Sequence, residues 1–116
     1  MRAGEGSGQS PKGLIGKAFE DYLNKKLGGE GSRQIGGRDF DGVNGNRWWE
    51  AKSGQYWDML ENDLKKLLKF KSDMGDRLNI AKQNGATYEL FSNTPIPQTI
   101  KGWLAKKGIS FTEFLD

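Results

Sequence analysis

Asp41, Glu50 and Lys52 are the residues of this chain whose types and spacing best suit chemistry. Glu50 and Lys52 stand two apart in Arg47-Trp48-Trp49-Glu50-Ala51-Lys52, which reads as a strand. Their side chains then share one face, and Trp49 and Ala51 supply the other. Asn44-Gly45-Asn46, between two aromatic or β-branched runs, is a hairpin signal. A turn spanning Asn44 to Arg47 sets Asp41 opposite Glu50, whereas an Asn-Gly turn sets Asp39 there, and the sequence leaves that register open. Two carboxylates one cross-strand distance apart repel unless a cation lies between them. Two carboxylates and waters suit Mg²⁺ or Mn²⁺, with Zn²⁺ the further option. Such an ion acidifies a bound water and neutralises charge building on a phosphoryl oxygen. Lys52 could orient or deprotonate the attacking water, or stabilise the developing charge. This is metal-dependent phosphodiester hydrolysis. The plainer alternative is that all three residues are the solvated face of an exposed hairpin.

Composition narrows the field to the same chemistry. The 116 residues include no cysteine and no histidine. Disulfides, thiolate metal centres, cysteine nucleophiles, Ser-His-Asp triads and imidazole bases are therefore excluded. Carboxylates, lysines, hydroxyls and an oxygen-bound cation remain. The formal charge of +3 permits an anionic partner without demanding one. Length favours one domain over residues 12–116, behind a Gly/Ser-rich leader at 1–11 that reads as a flexible tether. Only 34% of residues are hydrophobic, but four Trp, six Phe and three Tyr supply a core. No run approaches the ~18 apolar residues that span a bilayer.

The hairpin needs elements around it. Leu14, Ile15, Ala18, Phe19, Tyr22, Leu23 and Leu27 predict an amphipathic helix over 12–27, stopped by Gly28-Gly29. A polar, Gly-rich stretch follows at 30–37, then strands on each side of Asn44-Gly45-Asn46. Residues 57–84 predict one long helix, or two meeting near Gly75. Residues 86–92 predict a strand, 98–107 a helix and 109–111 a last strand. The expected order is α-β-β-α-β-α-β: an α/β (α+β) fold with a small mixed sheet flanked by helices.

An Asp on one strand followed by Glu-x-Lys on the next resembles the PD-(D/E)xK superfamily of restriction-endonuclease-like nucleases. Asp41, Glu50 and Lys52 match its signature, and Glu20 fits the helix carboxylate often found upstream. Phe40 stands where the family's proline would be, and Asp39 keeps the choice of first carboxylate open. The Gly-rich leader and Arg38-Asp39-Phe40-Asp41-Gly42-Val43 further resemble C-terminal toxin domains of bacterial contact-dependent growth inhibition proteins. The resemblance implies a candidate catalytic set of Glu20, Asp41, Glu50 and Lys52, with a divalent metal on Asp41 and Glu50. It also implies export as the end of a larger cell-surface protein, action in the target-cell cytoplasm, and neutralisation by a cognate immunity protein. Related domains cut tRNA or DNA, and compactness favours tRNA here. A non-catalytic nucleic-acid-binding module is the competing class.

Substrate contacts have weaker signals. Ser53 and Gln55 follow the strand and could bond a phosphate or the attacking water, or merely shape a helix-capping turn. Lys65, Lys66 and Lys69 share a helix face suited to a phosphate backbone, although acidic residues interleave with them. By strand parity Trp48 shares the face of Glu50 and is the expected site-lining aromatic, with Trp49 in the core.

Overall fold

The computed structural model describes residues 10–116; most of the expected tether lies outside the described residues. Gly13 and Gly16 have φ of 83° and 59°. That left-handed backbone cannot continue a helix, so α1 begins only at Lys17 and runs Lys17–Leu27, not from residue 12. Gly28, with φ 70°, closes it by donating its N–H to Asn24.

The polar stretch after α1 holds a short strand that periodicity does not reveal. β1 (Arg33–Ile35) and β2 (Arg38–Phe40) form a separate antiparallel hairpin, turning on Gly36 and Gly37. The chain then breaks at Asp41, so the strand expected before the Asn-Gly turn is two pieces, β2 and β3 (Gly42–Asn44). β4 (Arg47–Lys52) returns antiparallel to β3. The helical region is also divided, at Asn62-Asp63 and not at Gly75. Asp63 accepts hydrogen bonds from the Lys65 and Lys66 amides, and this cap starts α3 (Leu64–Gln83) afresh after α2 (Tyr56–Glu61). β5 (Thr87–Ser92), α4 (Gln98–Lys107) and β6 (Ser110–Glu113) complete the chain.

The larger sheet has the order β3-β4-β5-β6, with β4, β5 and β6 parallel. The fold is mixed α+β, a small mixed sheet flanked by helices. Strand parity divides its core in two. Trp48, Tyr88 and Leu90 lie in one cluster with Phe70 and Met74 of α3 and Leu104 of α4. Trp49 and Phe91 pack on the other face against Phe19 and Leu23 of α1.

Trp49 is wholly buried and its indole lies over Gly42, where an added Cβ would overlap the ring. Gly75, by contrast, has no atom within 4 Å of such a Cβ and sits inside α3. Gly42→Ala is expected to lose about 1–3 kcal/mol through overpacking. Gly75→Ala should gain roughly 0.5–1 kcal/mol by restricting the unfolded chain. Urea unfolding of the two variants checks the opposite signs; an unchanged midpoint for Gly42→Ala would remove the steric argument.

Candidate functional site

The hairpin register decides between the two aspartates. Gly42 pairs with Trp49, Val43 with Trp48 and Asn44 with Arg47, leaving Gly45-Asn46 as the turn. Continued by one step, this sets Asp41 opposite Glu50. Asp39 pairs instead with Gln34 in the outer hairpin and is exposed.

Asp41 occupies the break between two strands, and hydrogen bonds from two elements fix it. Its N–H donates to the Trp49 carbonyl at 3.1 Å. One carboxylate oxygen accepts the Ala51 amide at 2.8 Å, in place of a backbone partner. Its own carbonyl accepts from Asn24 Nδ2 of α1 at 3.1 Å. Asn24 also ties down the loop after α1 by accepting the Gly31 amide at 3.1 Å.

Glu50 is the unusual group. It is 3% exposed, on the face of β4 that meets the main core. Oε2 lies 3.3 Å from Arg77 Nε of α3, and that nitrogen also donates to the Asp39 carbonyl at 2.8 Å. Oε1 is buried and has no hydrogen-bond partner. The adjoining Asp41 carboxyl can bond to Glu50 only when one of the two carries a proton. Burial pushes the Glu50 carboxyl well above the usual carboxylate range, and Asp41 pushes it further; Lys52 and Arg77 oppose both. A buried carboxylate pair with an unsatisfied oxygen is costly by itself. Two hard oxygen donors in that state fit a divalent cation. Among the described residues no three Asp, Glu, His or Cys side chains converge on a metal site, so water would complete such an ion's shell.

Glu20 of α1 is half-buried at the rim. Burial raises its carboxyl, with Asp41 adding to the effect and Lys17 and Lys52 working against it. Asp41 and Lys52 therefore lie within electrostatic reach of both Glu20 and Glu50. Lys52 Nζ sits 4.3 Å from the centre of the Tyr56 ring, which holds the ammonium at the end of β4. The Tyr56 phenol is itself pushed up to about 12 by burial and by the negative field of Glu50.

Two clefts open on either side of Tyr56 and Met59. One, of about 490 Å³, is lined by Ser53 and Gln55 together with Asp58 and Asn62. The other, of about 310 Å³, is lined by Lys66 and Lys69 over Leu60 and Phe70. Ser53 has a structural bond as well, its Oγ accepting the Gly16 amide at 2.8 Å. Lys65 lies on the exposed start of α3 and lines neither cleft. Trp48 does not line the site. It shares the face of Glu50 as parity requires, but the core covers it: it is 6% exposed, edge-on to Phe40 at 5.0 Å. Its indole N–H is spent on the Gly45 carbonyl at 2.9 Å.

Sequence reasoning missed three parts. Arg77 looks in sequence like one more cation on a basic helix, and only tertiary packing puts it on Glu50. Asn24 had a faint signal as a polar residue beside the apolar stripe of α1. Tyr56 had none beyond following Gly54-Gln55. No family model, curated protein or solved structure matches the chain.

The raised Glu50 carboxyl has a definite sign in stability. Between its unfolded and folded values the native state holds a proton that the unfolded chain has released, so stability falls as pH rises through that window. Without metal, Glu50→Gln should be more stable than the parent at pH 7 by about 1–3 kcal/mol, with the gap closing towards pH 4. Urea unfolding in EDTA at both pH values measures this; a less stable variant at pH 7 would show that the Arg77 pair outweighs burial.

Proposed function

We propose that the chain is a metal-dependent endonuclease of the PD-(D/E)xK type, hydrolysing phosphodiester bonds with tRNA the favoured target. The observation that carries the reading is the buried, partnerless oxygen of Glu50 beside Asp41, with Lys52 on the same strand face. A merely solvated hairpin face has no reason to bury a carboxylate against another. The sheet order, with the hairpin strand β4 parallel to β5, also accords with a restriction-endonuclease-like fold.

A divalent cation between Asp41 and Glu50 would supply Lewis-acid stabilisation of the phosphoryl oxygen and a more acidic water. This chain's own residues do the remaining work. Asp41, fixed by Ala51 and Asn24, presents its second oxygen without needing to reorganise. Arg77 takes one oxygen of Glu50 and leaves the other without a hydrogen-bond partner. Lys52 offers a positive charge for the phosphoryl group as negative charge builds on it. Glu20, raised by burial, is placed to accept or return a proton at the rim.

Delivery as the terminal domain of a contact-dependent growth inhibition protein, action in the target-cell cytoplasm and capture by an immunity protein belong to the same proposal. They rest on the resemblance of Arg38-Asp39-Phe40-Asp41-Gly42-Val43 and the leader. No helix of the described residues is long and apolar enough to cross a membrane.

Purified protein incubated with total RNA or plasmid, with Mg²⁺, Mn²⁺ or Zn²⁺ and with EDTA, tests the activity. Cleavage is expected on RNA, stopped by EDTA. Asp41→Asn should abolish it and Lys52→Ala should lower it by about 10²–10³-fold or more, with circular dichroism showing both variants folded. Plasmid cleavage alone would replace the tRNase with a DNase. Undiminished cleavage by the Asp41 variant would remove this site from the chemistry.

A further inference from the structure

The clefts flanking Tyr56 have a composition that a bare phosphate-binding surface does not need. Each is of small-ligand size, within or near the roughly 300–1,000 Å³ typical of ligand pockets. They share Tyr56 and Met59, so the two form one groove with a ridge. The ridge is rigid on one side: Tyr56 packs edge-on to Trp57 at 5.2 Å and to Phe70 at 5.9 Å. Met59 on the other side is 37% exposed, an apolar group left in water.

The two ends differ in chemistry. Around Ser53 and Gln55 the cleft offers hydroxyl and amide groups, and the Asp58 carboxylate would repel a phosphate but accept from a base N–H. At the other end Leu60 and Phe70 are almost fully buried, so the apolar surface within reach is that of Tyr56 and Met59, with Lys66 and Lys69 beside it. Lys69 is paired with Asp73 at 2.7 Å, which offsets the acid at that end. Exposed apolar side chains and base-edge acceptors are used best by bases that are unstacked and unpaired. A double helix presents phosphates to such a surface and keeps its bases away.

We infer that the Tyr56–Met59 groove binds an unpaired strand of nucleic acid. One base enters the cleft of Ser53, Gln55 and Asp58, and the neighbouring nucleotide lies against Tyr56 and Met59 beside Lys66. The inference rests on the nuclease reading for the place of the scissile phosphate, next to Lys52, but not for binding itself. The substrate is then a loop or single-stranded end, in RNA or DNA.

Fluorescence anisotropy of labelled 12-mers, as single strands and as duplexes of the same sequence in RNA and DNA, tests this. Asp41→Asn protein in EDTA removes cleavage from the measurement. Single strands should bind at least about tenfold more tightly than duplexes, and the RNA and DNA arms tell which sugar is preferred. Met59→Glu should weaken single-strand binding about tenfold with duplex binding unmoved, and Lys66→Glu should weaken single-strand binding too. Equal or tighter binding of duplexes overturns the inference, as does a single-strand preference that neither variant changes. Metal-dependent cleavage by the parent alongside a duplex preference would sink the groove and spare the nuclease. A single-strand preference without cleavage in any metal would do the reverse.

Discussion

Everything around the site answers to one constraint, the burial of the Glu50 carboxylate where the hairpin meets the main core. A carboxylate out of water must be paired, neutralised or relieved by a cation. Arg77 supplies part of the pairing from α3 and is itself held by the Asp39 carbonyl. The outer hairpin is latched to the same helix by Arg38, which reaches Asp73 at 3.2 Å and Asp76 at 2.6 Å. The small β1–β2 hairpin, anchored in the main core by Phe40, is thus also a brace for Arg77.

The site also depends on the sheet having two covered faces. Glu50 and Lys52 project towards α2 and α3, whereas Trp49 and Ala51 anchor the same strand against α1. Asp41 is the point where the chain leaves one hairpin for the other, and α1 reaches it through Asn24. Glu20 approaches from that helix at the sheet edge. Charges from both layers therefore meet at one rim, although neither layer alone contains the set.

Legibility in the sequence followed how local each cause was. The helix of Phe19 and Leu23, the Asn-Gly turn, the strand of Tyr88 and the last helix are periodic or punctuated over a few residues, and all were readable. The start of α1 was missed because Leu14 and Ile15 extend the apolar pattern while two glycines break the backbone. Residues 57–84 read as one long helix, or two meeting near Gly75, but the division falls at Asp63, because Gly75 is a weak breaker and the Asp63 cap a strong starter. Asp41, Glu50 and Lys52 could be named from spacing, but the choice between Asp39 and Asp41 needed the register. Trp48 was assigned to the correct face and the wrong environment. Parity tells which way a side chain points, not what another helix lays over it.

Gly42 is held without a side chain by the Trp49 ring, immediately after an aspartate held by three hydrogen bonds. One residue is fixed by electrostatics and the next by volume, at the break between two strands. This dipeptide and its partners across the hairpin, Trp49 and Ala51, thus form a short, tightly coupled unit. Most surface positions of the helices face no such restriction. A change at either residue is therefore felt across the hairpin, whereas one at an exposed helix position is felt only locally.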